Sequence, residues 1–452
     1  MDAAALFSTA LSARQRQDIE TAVEAIDAAA KAAPNDPQIV AFHAQLHYES
    51  WRPASVLFAK AVHLNPDQPS LICNHALALV SEGDAAGGEL LLEHALESQP
   101  LWLEGHATLA RIRLTNGALD GHDRSYATAV RDSPQILPLW LAWFHNAAVQ
   151  KDWDKVSMIL DAAERASPGQ RALASARFYL ASESGNDISV DTKLDAVADI
   201  IDPGLDLCRV RLHLRRGHYA DAEACATRHI GTAAANLFWP YLSLIWRLTG
   251  NLRAEWLDGM PPSTSVSDLD FTPAEIEELA ETLRGLHILQ APYPEQSVRG
   301  GTQTDRPLFF NPDPAIQAAR AKITGAVRNY INALPTTDPT HPLLAPRRAA
   351  ILFAGSWSVR LKDRGYHASH SHVMGWISSA FYVALPKEPG PKPSGWFALG
   401  TPPPELGLNL KPYATVEPKP GRLILFPSHM WHSTFPFEAG ERLTIAFDVK
   451  AA

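Results

Sequence analysis

"PSHMWHSTFPFEAGERLTIAFDV", residues 427 to 449, decides how the last third of the chain is read. Its final part, "ERLTIAFDV", alternates and is rich in β-branched and aromatic residues, so a strand is expected there. A two-residue period puts Arg442 and Thr444 on one face of that strand. An arginine turned into a sheet interior needs an anion, because an unpaired buried guanidinium is costly, and a carboxylate held by two N–H groups is its natural partner. A surface pairing of Arg442 with Asp448 or Glu441 is the plainer alternative. Ten residues before Arg442 stands His432, just after the strand-like "GRLILFPS".

Two more strand-like stretches lie upstream, "AAILFAGSWSVRL" and "WISSAFYVALP". Residues 386 to 420 carry ten prolines, too few backbone donors for a central sheet, and read as a long loop over a rim with an edge strand. Several short strands in so short a region suggest a small antiparallel jelly roll or barrel. Directly before "WISSAFYVALP" stands "HASHSHVMGW", with His367, His370 and His372. Neutral imidazole is a common ligand of divalent metals, so this cluster of three histidines is a candidate metal site, whereas a solvated polar turn is the plainer reading. The spacing of His367 from His370 leaves it outside a tight chelate. On the following strand Trp376, Ser378, Ala380 and Tyr382 share a face.

The first half has a different grammar. Prolines fall at 34, 66, 100, 134 and 168, in steps of 32, 34, 34 and 34 residues. Five positions before each stands Ala29, Ala61, Ala95, Ala129 or Ala163, and eight before each stands Ile26, Phe58, Leu92, Tyr126 or Leu160. Small residues let helices approach, large ones fill the groove, and proline stops the second helix of a pair. The expectation is a solenoid of helix pairs over residues 1–258, blurring after Pro168, whose concave face docks a peptide or protein partner; the plainer alternative is that the array buttresses the second domain or makes a homodimer. "GMPPSTSVSDLDFTP", Gly259 to Pro273, reads as a linker, so residues 259–284 are taken as linker and connecting helix and 285–452 as the strand-rich domain. Within that domain "EQSVRGGTQT", Glu295 to Thr304, reads as a glycine loop in which Arg299 and Gln303, with Trp376 from the later strand, are candidate substrate contacts.

Composition narrows the function. With 46% apolar and 20% charged residues the chain of 452 is globular and long enough for several domains. A net charge of -9 with no basic run argues against nucleic acid and against acidic membranes. No apolar window of membrane length or leader-like start is visible, and three scattered cysteines suit a reducing compartment, so a cytoplasmic protein is expected.

The repeat columns resemble those of the tetratricopeptide repeat (TPR). "SWSVRL", "GYHASHSHVMGWISSAFYVALP" and "PGRLILFPSHMWHSTFP" resemble bacterial Fe(II)/2-oxoglutarate-dependent oxygenases that carry N-terminal TPRs. That resemblance implies a TPR solenoid followed by a double-stranded β-helix of the jelly-roll or cupin kind, with Fe(II), 2-oxoglutarate and O2 as cofactor and cosubstrates. It implies His370 and His432 as iron ligands, and Arg442, assisted by Thr444, as the clamp on the distal carboxylate of 2-oxoglutarate. Ser378 or Tyr382 would add a hydrogen bond to the cosubstrate. The implied reaction is hydroxylation of a peptide or protein side chain. His372 stands where the larger family has a carboxylate, leaving a three-histidine site or a two-histidine site with water, and Asp363 is the one acid close upstream. A TPR scaffold with an inactive or non-oxygenase metal-binding domain is the alternative.

Overall fold

A computed structural model describes every residue except 1, 119, 186–188, 260–262, 347, 349 and 451–452. Residues 260–262 of the expected linker thus lie outside the described residues. Internal contacts divide the chain into two compact units, one of residues 1–168, 285–295 and 304–317, the other of residues 169–284, 296–303 and 318–452.

The first unit carries five helix pairs, from Ala3–Gln15 with Ile19–Ala32 to Leu137–Val149 with Trp153–Ala166. Aspartates start several of these helices: Asp36 accepts from the backbone N–H groups of Gln38 and Ile39, with Pro37 already in place at the first helical turn. Asp84 and Asp152 do the same for Gly87 and Lys155. The large-residue column does what its period predicts, since Ile26, Phe58, Leu92, Tyr126 and Leu160 are each at most 1% exposed. Each such burial contributes roughly 1.5–3 kcal/mol, which is why stacking rather than helix propensity holds the array together.

The second unit begins with helices Arg171–Ser184, Val190–Asp195, Pro203–Arg215, Tyr219–Thr227 and Ala235–Leu248. Contact grouping places these helices with the strands, whereas the sequence reading divides the chain at 258. The physical reason is a shared apolar cluster: Phe238, Leu242 and Trp246 pack with Leu406 and Trp431, and the Trp431 indole N–H donates to Pro240 O at 2.8 Å.

Among the described residues nine strands follow: β1 (Ser265–Asp268), β2 (Val298–Gln303), β3 (Leu352–His367), β4 (Ile377–Ala384), β5 (Phe397–Leu399), β6 (Ala414–Val416), β7 (Arg422–Pro427), β8 (His432–Thr434) and β9 (Arg442–Lys450). They make two antiparallel sheets, ordered β1-β7-β4-β9-β3-β2 and β6-β5-β8. Two sequence expectations change here. The Ser/Thr-rich linker supplies β1, an edge strand on β7, and the Gly-Gly segment is strand β2, bulged between Arg299 and Gly301 against β3. Glycine is required at that bulge: Gly300 has φ +72, and a Cβ on Gly301 would stand 2.2 Å from Arg360 O. The proline-rich loop contributes β5 and β6, so the smaller sheet depends on it.

Candidate metal centre

β8 is three residues long and carries His432. Its backbone pairs with His370 on the stretch after β3, with N–H to O distances of 3.0 and 2.9 Å in the two directions. This bridge places the two imidazoles beside each other, ring centroids 4.1 Å apart. The His372 backbone N–H donates to Ser428 O, which brings the third ring to 5.0 Å from both of the others. One ligand atom from each of His370, His372 and His432 lies within 4.8 Å of the others.

In all three rings Nδ1 is committed. That of His370 lies 2.8 Å from Ala368 O, that of His432 lies 3.1 Å from Met430 O, and that of His372 lies 2.7 and 2.8 Å from the two oxygens of Asp448. With the proton on Nδ1, Nε2 carries the lone pair in every ring, the tautomer a metal requires. Burial holds the His370 pKa down at about 3, helped by the neighbouring His372, and pushes His432 well below the ordinary value, so both rings are neutral over a wide range. The aromatic rings of Phe426 and Phe397 stand 4.6 and 5.7 Å from His432 and keep that side apolar. Three imidazole nitrogens with their Nδ1 atoms engaged fit a divalent first-row metal such as Fe(II).

His367 ends β3 and is linked to the group through Ser297, whose Oγ lies 3.0 Å from His367 Nδ1 and 3.2 Å from His370 Nε2, the nitrogen left for a metal. Asp363 does not approach the histidines; its carboxylate accepts from the Gly440 backbone N–H.

Arg442 opens β9 and is 2% exposed. Its Nη1 donates to Gly395 O at 3.1 Å and its Nη2 to Thr434 Oγ1 at 3.0 Å, while Nε has no partner among the described residues. Neither acid of the surface alternative takes it. Glu441 binds Arg284 and Arg360 at 2.7 and 2.6 Å, and Asp448 is engaged by His372. Burial lowers the Arg442 pKa and only Tyr382 opposes it, so the cation has no carboxylate of its own. The Tyr382 hydroxyl is also unpartnered among the described residues and is 1% exposed, and its pKa is raised by burial against the pull of Arg442. Thr434 is two residues from His432 on β8, and its Oγ1 also accepts from the His367 N–H at 2.9 Å, so Arg442 is tied to the strand that carries a histidine of the trio.

Other expected residues are placed elsewhere. Ser378 Oγ donates to Asp448 Oδ1 at 2.6 Å and lies 2.8 Å from Ser428 Oγ, so it props the acid that orients His372. Thr444 is buried opposite Tyr382 and Val359, and the hydroxyl bonded to Arg442 is that of Thr434. The Trp376 indole donates to Leu343 O in the core. Arg299 is exposed and donates to Gln296 O and Val298 O, and Gln303 ends β2 opposite Val359. The sequence does not single out Thr434 or Ser297, and it offers Asp448 only as a surface partner of Arg442, although alternation puts Asp448 on the Arg442 face of β9.

Residues 355–448 match the family model described as "Putative 2OG-Fe(II) oxygenase". The matched stretch runs from within β3 to within β9 and includes all three histidines and Arg442. No curated protein matches the chain. Among solved structures, a prolyl-4-hydroxylase from Pseudomonas putida is similar at 16% identity and TM-score 0.30, over 42% of this chain and 93% of its own. A tetratricopeptide repeat protein from Parabacteroides merdae is similar at 12% identity and TM-score 0.35, over 54% of this chain and 98% of its own. A mutant O-GlcNAc transferase from Thermobaculum terrenum is similar at 26% identity and TM-score 0.24, over 29% of this chain and 26% of its own. Among the described residues no helix is long and apolar enough to cross a membrane.

Proposed function

We propose that the protein is an Fe(II)- and 2-oxoglutarate-dependent dioxygenase that hydroxylates a peptide or protein side chain recruited by its helical repeats. The observation that carries this reading is an uncompensated buried guanidinium tied through Thr434 to a strand that also supplies one of three tautomer-locked histidines. His370, His372 and His432 would hold the metal through Nε2. Bound iron with 2-oxoglutarate supplies O2 activation coupled to oxidative decarboxylation, leaving succinate, CO2 and a hydroxylated product. Arg442 would receive the distal carboxylate of the cosubstrate on its unused N–H groups, with the Tyr382 hydroxyl as a further donor. Asp448, itself held by Ser378, keeps the His372 proton on Nδ1. Phe397 and Phe426 limit water around His432.

The test is anaerobic addition of Fe(II) and 2-oxoglutarate to metal-free protein, followed by admission of O2. A visible metal-to-ligand charge-transfer band and succinate formation are expected. No band and no succinate would refute the oxygenase reading. For the substrate class, succinate formation is compared with a pool of peptides and with free amino acids. Stimulation by peptides supports a peptide substrate, and stimulation by free amino acids alone refutes it.

A further inference from the structure

Far from these residues in sequence, the first unit contains another convergence of metal-ligating atoms. Asp27 lies on helix Ile19–Ala32, the second helix of the first repeat; His43 and His47 lie one turn apart on helix Pro37–Glu49, the first helix of the second repeat. Asp27 Oδ1 is 2.9 Å from His43 Nε2 and 2.9 Å from His47 Nε2, and the two Nε2 atoms are 3.1 Å apart. We infer that these three residues bind a divalent first-row cation of the Zn(II) type, which staples the first repeat to the second.

Proton bookkeeping argues for a cation at the centre. If both rings carry a proton on Nε2, both can donate to Oδ1, but the two N–H groups then face each other at 3.1 Å. If one ring gives up that proton, its lone pair can accept from the other ring, but it then confronts the carboxylate oxygen at 2.9 Å. With the acid ionised, no proton placement makes all three contacts favourable. A cation at the centre does, because each atom then presents a lone pair. Three donors around tetrahedral zinc, with bonds near 2.0–2.1 Å, are spaced about 3.3 Å apart, so the triangle needs to open by only a few tenths of an ångström.

The repeat provides an internal comparison. Asp27 stands seven positions before its repeat proline and His47 thirteen after it. The same two positions hold Ala59 and Leu79, Glu93 and Arg113, and Ala127 and Ala147 in the next three repeats. In the third repeat, Glu93 and Arg113 form an ion pair across the corresponding helices. Where this position carries an acid, its facing position carries imidazole (His47), a cation (Arg113) or, beyond Pro168, alanine opposite Asp161 (Ala181). The pair His43 and His47, separated by four residues on one helix face, is the spacing that lets two imidazoles share one metal. Side-chain exposure of 15% and 17% for the histidines and 37% for Asp27 leaves one side open for entry of the ion and for a water as fourth ligand.

The experiment uses tag-free, full-length protein stripped with chelator and titrated with Zn(II) and with Co(II) as a spectroscopic probe. In a chain carrying His370→Ala and His432→Ala, metal binding is expected to persist, with the visible d–d bands of four-coordinate Co(II) and a Zn(II)-dependent rise in thermal midpoint. Adding His43→Asn and His47→Asn should remove one equivalent, the bands and the midpoint rise. Unchanged stoichiometry and bands after that addition would overturn the inference. So would absence of binding in the His370→Ala/His432→Ala protein with a wild-type circular dichroism spectrum. If that background fails to fold, His43→Asn/His47→Asn is measured in the otherwise intact chain. There, loss of one equivalent with retained circular dichroism supports the staple, and full retention overturns it. Because this site is assayed with metal alone, its failure leaves the test with 2-oxoglutarate untouched.

Discussion

Replacing Arg442 with Met tests whether the buried guanidinium serves a ligand or the fold. A guanidinium has five N–H donors, and two are used, by Gly395 O and Thr434 Oγ1. The remaining three suffice for a bidentate carboxylate, and Nε is one of them. Truncating one partner of a buried charge pair costs about 2–5 kcal/mol, or roughly 30- to 4,000-fold in affinity for 2-oxoglutarate. The same substitution removes an uncompensated cation from a site 2% exposed, so it should not lower the unfolding midpoint of the ligand-free protein by the amount expected from breaking a structural ion pair, about 3–5 kcal/mol. The assay is calorimetric titration of the Fe(II)-loaded protein under anaerobic conditions, with Fe(II) affinity measured separately. Arg442→Lys should fall between the two, since an ammonium cannot make the bidentate contact. An affinity for 2-oxoglutarate within fivefold of wild type in Arg442→Met, or a large loss of ligand-free stability, would refute the reasoning.

Asp448→Asn turns an acceptor toward His372 Nδ1 into a group that can present N–H, and is expected to weaken Fe(II) affinity about 10- to 100-fold in a competition titration; unchanged affinity would show that the acid does not orient the ring. His372→Asp puts a second carboxylate beside Asp448, so restoring the more usual acid should reduce metal binding unless Asp448→Asn is made as well; binding by the single variant that equals or exceeds wild type would contradict this. In metal-free protein His370 is neutral down to about pH 3, whereas the unfolded histidine takes up a proton near 6.5. Between those values the unfolded chain binds more protons, so stability should fall as pH falls, by about 1.4 kcal/mol per pH unit for that ring. Urea midpoints from pH 7 to 5 measure it, and a slope unchanged by His370→Gln would count against the assignment.

The strands legible in the sequence are those with apolar alternation: β4, β7 and β9 lie in the sheet interior, and their residues are almost all buried. β1 and β2 were hidden because they are edge strands, half exposed, and edges tolerate serine, threonine and glycine. The edge strand expected in the proline-rich stretch corresponds to β6, whereas β5, the middle strand of the smaller sheet, was hidden because it is only three residues long among prolines. The histidines and Arg442 stood out from residue type and spacing. Their supports did not: Asp448 meets His372 from 76 residues away, and Ser297 reaches His370 from 73 away, through a register that no local pattern encodes. Thr434 was closer to view, since alternation already puts it on the His432 face of β8.

Buried polar groups in the second unit fall into two kinds, and the difference separates architecture from chemistry. Asp258, fully buried, is met by His429 at 3.0 Å, by Tyr413 at 3.1 Å and by the Ser243 hydroxyl, so its charge is spent on joining the helix Ala235–Leu248 to the strands. Glu441 is likewise consumed by two arginines. Arg442 and Tyr382 are of the other kind: a cation and a hydroxyl, both all but inaccessible, retain donors with no acceptor among the described residues, as Arg348 Nε and Thr401 Oγ1 of the same unit also do. Leaving a buried donor unmatched costs about 1–3 kcal/mol, and more when it is charged. Under the proposed function the distal carboxylate of 2-oxoglutarate would offset that cost at Arg442 and Tyr382, and the hydrogen bond from Arg442 to Thr434 ties this end of the cosubstrate's place to the strand that carries His432.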